Sequence, residues 1–291
     1  MSLFSQSYDS IQFLFVDDGS QDHSLDYLED VLLFYPKRIP QTIIIRQPKR
    51  GLPAARMAGL EKARGEFVIH VDSDDWVEPD YISILVEKAI KENADVVYCD
   101  YFKEYDGRCP KVETEGFFYP SDGIGAVKAL HRGVIRAYMW NKLTKRELYD
   151  LERIVVPVNG YHEDIVFQTQ VLYGAAKCVH VKMPLYHYRR RRVGALTSAP
   201  LISTRRQSAE NMLELYNALP KDRGPVTICG NDILRRGGWY CCIIMAFKML
   251  MRYKDAVRVL SCMEYDRNNR VPISKQVYTK LCCKILTFFI R

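Results

Sequence analysis

The sequence predicts an α/β protein with a mostly parallel sheet flanked by helices and a helical C-terminal region. Apolar segments of strand length alternate with helical segments through the first hundred residues, which is typical of a sheet covered on both faces. Two of these strands run directly into clusters of aspartates. From about residue 202 onward the pattern is helical, so we expect an α/β domain over residues 1–197 and a helical region over residues 198–291.

Residue types place the strands and helices of the first hundred residues. Runs of β-branched and aromatic residues predict strands at 11–16, 42–46, 67–71 and 94–98. The segments between and after them predict helices at about 24–35, 51–64 and 79–92, two of which have proline at or near their start. Ligands bind at the carboxyl ends of strands in such sheets, so the residues after each strand are candidates for a site.

This alternation is lost after about residue 107. Short strands and loops follow, with a helix expected at about 122–131 and a loop around Trp140 and Asn141. A helix at 162–176 and a strand at 178–190 complete the domain, and basic residues follow that strand.

Charge is distributed unevenly along the chain. The formal net charge is +7, but residues 1–100 carry 18 acidic and 10 basic side chains, whereas residues 186–291 carry 7 and 20. The acidic first part favours a site that handles a cation, and the basic last part favours an anionic or membrane partner. Nucleic acid is not expected as a partner, because the acidic first part would repel a polyanion.

Cysteine usage and hydropathy predict a cytoplasmic protein, either soluble or peripheral on the inner face of the cell membrane. The nine cysteines are odd in number and form no C-x-x-C pair, which fits a reducing compartment. We expect no signal peptide before the first strand, because the residues there are polar, and the longest apolar run, residues 239–247, is too short to cross a bilayer.

The strongest local feature is the acidic turn Asp72-Ser73-Asp74-Asp75, which directly follows a predicted strand. Asp72 and Asp74 are two residues apart, so their carboxylates point to one side and can hold a hard divalent cation together with phosphate oxygens. A solvated acidic turn that caps a helix is the alternative interpretation.

A second acidic turn, Asp17-Asp18, ends another strand and is expected to face the same edge of the sheet. Repulsion between the two acidic clusters requires a cation or a ligand rich in hydrogen-bond donors. Between them lies a helix start, where Gly51 allows the backbone to approach a phosphate and Arg56 adds a charged fork.

Two later segments contain candidate catalytic and binding groups. Glu163 and Asp164 follow His162 at a helix start and offer a general base, although acids in a first helical turn commonly serve only helix stability. The basic run that begins at Arg189 is expected either to bind a diphosphate or anionic acceptor, or to be a solvated face.

Seven segments follow one another in a recognisable order: 15–22, 51–60, 63–67, 71–76, 140–143, 163–164 and 186–189. As a set they resemble the family-2 inverting glycosyltransferases with the GT-A fold, which is a Rossmann-like α/β fold. The resemblance spans roughly residues 2–197 and covers the remainder only loosely.

The resemblance implies how a nucleotide-sugar donor would be bound. Asp17 and Asp18 would contact the nucleoside, and Arg56 the base or the diphosphate. Asp72 and Asp74 would form the metal and ribose motif, with Asp74 the direct ligand of Mn or Mg. The other donor-binding residues would be Gly51, Ser73 and Arg189.

The resemblance also implies the chemistry. Asp164 would be the catalytic base that deprotonates an acceptor hydroxyl, and Glu163 would lie beside it and face the acceptor. The hydroxyl would attack the sugar from the side opposite the leaving diphosphate, which inverts the anomeric centre.

Two features depart from the family pattern. Members normally begin with an apolar strand that ends in a Pro-x-Tyr-Asn segment, whereas this chain begins at the later stretch 2–8. We therefore expect that Met1 is an internal methionine, that an interior strand is absent, that two strand edges are exposed and that the donor pocket lacks one wall. In addition, Ala195 stands where members often have serine after the basic run.

Three hypotheses follow. The leading one is a metal-dependent glycosyltransferase that uses a UDP-sugar to extend a glycan or lipid-linked acceptor in surface or capsular polysaccharide synthesis. The second is a truncated, catalytically inactive chain that binds a nucleotide or a partner protein, and the third is a nucleotidyltransferase on a similar fold. The C-terminal segment 280–291 mixes basic and bulky apolar residues, so it is expected either to contact an anionic membrane or to form a packed helix.

Overall fold

A computed structural model describes residues 1–157, 160, 162–190, 211 and 215. The chain divides into two units, residues 1–199 and 200–291, and every element named below belongs to the first. Ala195, the basic residues Arg191 and Arg192, the C-terminal segment 280–291 and, apart from Asn211 and Leu215, the expected helical region 198–291 lie outside the described residues.

The first unit alternates strands and helices. The strands are β1 Phe13–Asp17, β2 Thr42–Arg46, β3 Phe67–Val68, β4 Trp76–Val77, β5 Val96–Glu104, β6 Lys111–Glu113, β7 Lys142–Lys145 and β8 Cys178–Arg189. The α-helices are α1 Ser24–Leu33, α2 Leu52–Lys62, α3 Tyr81–Glu92, α4 Gly123–Arg132 and α5 Glu163–Tyr173. Short 3₁₀ helices cover Pro36–Gln41 and Arg146–Leu148.

The α/β class is as predicted, but the expectation of a mostly parallel sheet needs correction. β1 and β2 form a parallel pair, and the other six strands form a second sheet in the order β3-β7-β5-β8-β4, with β6 also on β5. In this second sheet only β5 and β8 are parallel among the described strands. Antiparallel pairing arises where a strand returns without a crossover helix, as β6 does after the short loop that follows β5.

The strand expected at 67–71 is shortened to Phe67–Val68. Its described partner, β7, pairs with β3 only through Thr144 and Lys145 and then pairs with β5. β1 likewise pairs only with β2 among the described strands. The strands that lead toward the two acidic turns therefore each have one neighbouring strand in the part of the chain that the structure describes.

Helix α3 packs against the larger sheet. Tyr81, Leu85 and Ala89, spaced four residues apart, are buried in one cluster with residues of β5 and β8. Full burial of a side chain such as Leu85 contributes roughly 2 kcal/mol.

Strand β4 positions the acidic turn. It lies antiparallel to β8, with Trp76 opposite His187, so residues 72–75 lie next to the end of β8.

A buried arginine fixes the first residues of the chain to the body of the unit. The guanidinium of Arg38 donates to the backbone carbonyls of residues 4, 6, 8 and 9 and to the side chain of Gln41, at 2.7 to 3.3 Å. Arg38 is only 8% exposed, so it provides donors that water cannot readily replace.

Replacing Arg38 tests this arrangement. Arg38→Ala removes the donors of five buried or half-buried hydrogen bonds, so we expect the free energy of unfolding to fall by about 2–4 kcal/mol in urea titrations. The neighbouring Lys37 is exposed, and Lys37→Ala is expected to change it by less than about 0.5 kcal/mol. Equal unfolding midpoints for the two variants would contradict the role assigned to Arg38.

Candidate active site

The acidic turn is held in place by β8. The hydroxyl of Tyr186 accepts from the backbone N–H of Asp72 at 3.1 Å and donates to the carboxylate of Asp75 at 2.7 Å. The backbone N–H of Arg189 donates to the other carboxylate oxygen of Asp75 at 2.8 Å. Asp75 is therefore engaged by the sheet, and its contribution is to fix the turn that carries Asp72 and Asp74.

Aromatic stacking fixes the position of Tyr186. Its ring stacks on Trp140 with a centroid distance of 4.2 Å, and Tyr138 stacks on the far side of Trp140 at 4.5 Å. The hydroxyl of Tyr81 on α3 also donates to the carbonyl of Trp140. Such stacking adds about 0.5–1.5 kcal/mol per pair beyond burial alone and limits ring rotation.

The segment after Trp140 is anchored by buried polar groups. The Lys142 ammonium donates to the carbonyls of Arg136 and Tyr138 and to the Asn141 side chain at 2.7 to 2.9 Å. Asn141 in turn donates to the Glu115 carboxylate at 2.9 Å. Burial lowers the pKa of Lys142 to about 8, with the Glu115 charge opposing that shift. The segment 140–143, which carries the Trp140 ring on which Tyr186 stacks, is thus held in place by buried hydrogen bonds.

Arg56 lies between two carboxylates that come from different elements. Its Nη2 is 3.3 Å from Oδ1 of Asp72 and 3.3 Å from Oε1 of Glu163, and the side chain is 8% exposed. Burial alone would lower the pKa of Arg56, but the charges of Asp72, Glu163 and Asp164 outweigh burial and raise it. The guanidinium is therefore a permanent cation inside an acidic cluster.

The surrounding carboxylates are destabilised in their ionised forms. Burial raises the pKa of Glu163 from its ordinary value of 4.5 to about 7; the charge of Asp164 adds to the shift and Arg56 opposes it. The pKa of Asp72 is also raised by burial, against the influence of Arg56. Burial raises the pKa of Asp75 to about 7. A cluster of this kind is a favourable place for an additional cation.

Glu163 and Asp164 begin helix α5, as predicted, but they differ in exposure. Glu163 is buried against Arg56, whereas Asp164 is half-buried and accepts from the N–H of Ile165 at 2.8 Å. His162, which precedes the helix, has a φ of 59°, a left-handed conformation that turns the chain sharply into α5. Of the two acids, Asp164 is the more accessible to an incoming group.

Asp17 and Asp18 lie at the end of β1, and Asp18 is hydrogen-bonded to Gly51, the residue that precedes helix α2. The Asp18 carboxylate accepts from the Gln47 side chain at 2.7 Å and from the N–H groups of Arg50 and Gly51 at 2.8 and 2.7 Å. Burial alone would raise the pKa of Asp18, but these hydrogen bonds outweigh burial and lower it. Asp17 accepts from the N–H of Ser20 at 2.9 Å. Gly51 has a φ of 91°, which favours glycine at this position.

The structure brings some predicted site residues together and leaves others apart. Asp72, Arg56 and Glu163 are in direct contact, and Asp74 and Asp164 lie near enough for their charges to affect Asp72. Asp18 is connected to this group through Gly51 and helix α2, which carries Arg56, whereas Asp17 is hydrogen-bonded to Ser20. Ser73 is exposed, and the Arg189 side chain lies at the surface with Asp106 at 3.2 Å.

Two residues important to the geometry were not singled out by sequence reasoning. In the sequence Asp75 stands out only as one more acid of the turn, and Tyr186 only as part of the segment 186–189. The available signal was the spacing of Tyr186 and Tyr188, which places both on one face of a strand that also precedes the basic residues.

Two features of the described residues bear on ligands and membranes. No group of three or more histidine, cysteine, aspartate or glutamate side chains is arranged there to hold a metal ion by itself. Within the same residues, none of the helices has the length and apolar character needed to cross a membrane.

Comparison with known proteins agrees with this architecture. Residues 1–162 match the profile of Glycosyl transferase family 2. EpsH of Bacillus subtilis (strain 168), which is described as a glycosyltransferase, is 36% identical over 193 residues, covering 65% of this chain and 55% of EpsH. The chain thus spans about half the length of this relative.

Solved structures assign the fold. The structure of Staphylococcus aureus TarS 1-349 in complex with UDP-GlcNAc has a TM-score of 0.65 and 18% identity, and covers 89% of this chain and 74% of TarS. The mannosyltransferase PcManGT from Pyrobaculum calidifontis, in complex with GDP-Man and Mn2+, has a TM-score of 0.53 and 14% identity over 98% of this chain and 74% of PcManGT. The predicted GT-A fold is confirmed.

Tyr186→Phe tests the attachment of the acidic turn to β8. The variant keeps the stacked ring but removes the acceptor for the Asp72 N–H and a donor to Asp75, so we expect a loss of about 1–3 kcal/mol in the free energy of unfolding. Tyr188→Phe is the matched control, because the Tyr188 hydroxyl contacts only the Arg190 side chain at 3.4 Å among the hydrogen bonds described. Equal unfolding curves for the two variants would show that the Tyr186 hydroxyl does not hold the turn.

Glu163→Gln tests the raised pKa. Between pH 4.5 and about 7 the folded protein retains a proton on Glu163 that the unfolded chain has lost, so the wild type loses stability as pH rises through this window. The glutamine does not titrate. We therefore expect the free energy of unfolding of the variant, relative to wild type, to increase between about pH 5 and pH 8.

The measurement is urea unfolding at several pH values. Glu66→Gln is the control for the same replacement at an exposed position. A constant difference between Glu163→Gln and wild type across the same range would contradict the raised pKa.

Proposed function

Because this chain belongs to glycosyltransferase family 2, we propose that it transfers a sugar from a nucleotide-sugar, a UDP-sugar, to a glycan or lipid-linked acceptor with inversion. We further propose a role in the synthesis of a surface or capsular polysaccharide. The observation that carries the proposal is the convergence of the acidic turn and the first residues of α5 on one guanidinium, which joins a donor-side group to a base-side group.

The donor side would consist of the acidic turn and the start of α2. Asp72 and Asp74 provide hard carboxylate oxygens that suit Mn or Mg, and the phosphate oxygens of the donor and water would supply the remaining ligands. When bound, the cation would offset the charge that develops on the leaving nucleoside diphosphate.

The remaining donor contacts are proposed from the sequence resemblance. Asp17 and Asp18 would contact the nucleoside, and Gly51, Ser73 and Arg189 would contact the donor near its phosphates. The neighbouring structures support a nucleotide-sugar as ligand, since TarS holds UDP-GlcNAc and PcManGT holds GDP-Man and Mn2+.

Asp164 is the proposed general base. It is the more exposed of the two acids at the start of α5, and Glu163 is already engaged by Arg56. Asp164 would accept the proton of an acceptor hydroxyl as that oxygen attacks the anomeric carbon. Glu163 would lie beside it, on the acceptor-facing side of the site.

We also propose that the protein acts in the cytoplasm at the inner face of the membrane, with its basic C-terminal region in contact with anionic lipid. The charge of residues 186–291, which carry 20 basic and 7 acidic side chains, supports this placement.

A donor screen tests the proposed function. The full chain is incubated with UDP-GlcNAc, UDP-glucose, UDP-galactose or GDP-mannose and with Mn2+ or Mg2+, and release of the nucleoside diphosphate is measured. We expect cation-dependent release from a UDP-sugar, reduced about 100-fold or more by Asp164→Asn and strongly reduced by Asp74→Ala.

Glu66→Gln, at an exposed position, is the control and should retain wild-type turnover. Turnover that survives both site substitutions would exclude the assigned roles. Tight UDP binding by the wild type without any turnover would instead indicate the inactive, nucleotide-binding alternative.

A further inference from the structure

We propose that Arg56 is a positioning residue that holds Asp72 and Glu163 at a fixed separation, and that it does not contact the donor diphosphate. This inference rests on the proposed glycosyl transfer, and it replaces the expectation that Arg56 binds the base or the phosphates. Arg56 would then bind other residues of the protein, and it would connect the donor side of the site to the base side.

The geometry shows one guanidinium nitrogen in contact with carboxylates from two different elements. A single nitrogen, Nη2, is 3.3 Å from carboxylate oxygens of both Asp72 and Glu163. The side chain is 8% exposed, and its Nε is buried with no hydrogen-bond partner among the described residues. An arginine that receives a diphosphate would be expected to present its fork toward the ligand.

The charge balance also favours this arrangement. Asp72, Glu163 and Asp164 all raise the pKa of Arg56, so the guanidinium is the near counter-charge of three acids. Moving it to a phosphate would leave Glu163, which is only 6% exposed, without its cationic partner. Leaving one member of a buried ion pair unpaired is strongly unfavourable.

The link joins elements that are distant in sequence. Asp72 lies 16 residues after Arg56, and Glu163 lies 107 residues after it. Inverting displacement requires the leaving diphosphate and the base on opposite sides of the anomeric carbon, at a defined separation. A contact that sets this separation contributes to the rate of the chemical step more than to donor affinity.

The first test compares UDP and UMP binding by calorimetry without a divalent cation, in wild type, Arg56→Lys and Arg56→Gln, so that a change in cation binding at Asp72 is not mistaken for a lost phosphate contact. If Arg56 positions the carboxylates, the ratio of UDP to UMP affinity should change by less than about twofold. If it contacts the diphosphate, UDP should lose about tenfold more affinity than UMP in Arg56→Gln, and that result would overturn the proposal.

The second test measures turnover of UDP-GlcNAc, or of another UDP-sugar that the wild type hydrolyses. We expect kcat to fall about tenfold or more in Arg56→Gln while the donor KM changes less than about threefold, with partial recovery of kcat in Arg56→Lys. Arg64→Lys is the matched control, because Arg64 is exposed just after the same helix. A rise in donor KM with unchanged kcat would contradict positioning.

A third measurement does not depend on a substrate. In thermal unfolding, the loss in Tm for the double variant Arg56→Gln/Glu163→Gln should be smaller than the sum of the two single losses, because each single change breaks the same contact. Additive losses would overturn the proposal. If the wild type binds no nucleotide, the proposed function fails while this cycle still decides whether Arg56 and Glu163 are coupled.

Discussion

Arg56 sits 3.3 Å from Asp72 and 3.3 Å from Glu163, inside a group of carboxylates that burial makes unfavourable as anions. Each acid could be accommodated alone by protonation, but the proposed roles of these acids, binding a cation and accepting a proton, need carboxylates in ionised form. One buried guanidinium offsets part of the repulsion between these carboxylates, and the cluster keeps a net negative charge. The arrangement explains why the acids of two separate elements can lie together, and why the site still favours an added divalent ion.

The rest of the unit fixes the groups around that cation. Helix α2 is held at the residue before its start by the hydrogen bond from the Gly51 N–H to Asp18, and Arg56 lies in the second turn of that helix. The acidic turn is tied to β8 through Asp75 and the hydroxyl of Tyr186, and Tyr186 is stacked on Trp140. Each of these supports is a contact between elements far apart in sequence, so the site depends on the packing of the whole unit.

Sequence reasoning located the acidic turns, the start of α2 and the start of α5, because each has a local signature of a strand end or a helix start. It also identified the strand at 42–46 with the bounds that the structure has. It could not show that Arg56 meets Glu163, since a contact across 107 residues has no periodic signal. The mixed sheet was missed for a related reason. The alternation of residues in a strand shows which side chains share a face, but it does not show which strands are neighbours or whether they run parallel. The antiparallel pairing of β7 with β3 and β5 therefore has no signal in the sequence of β7 itself.

The sharing of one guanidinium by two acids has a consequence for how this site can evolve. A change at Glu163 alone leaves Arg56 with one partner, and a change at Arg56 alone leaves two partly buried acids facing each other. A single substitution at one of these positions therefore leaves a charge without its partner, whereas a paired replacement does not. Replacements at residues 56, 72 and 163 should be correlated among descendants of a common ancestor, so a change at the start of α5 is inherited together with a change in α2, which is encoded far upstream.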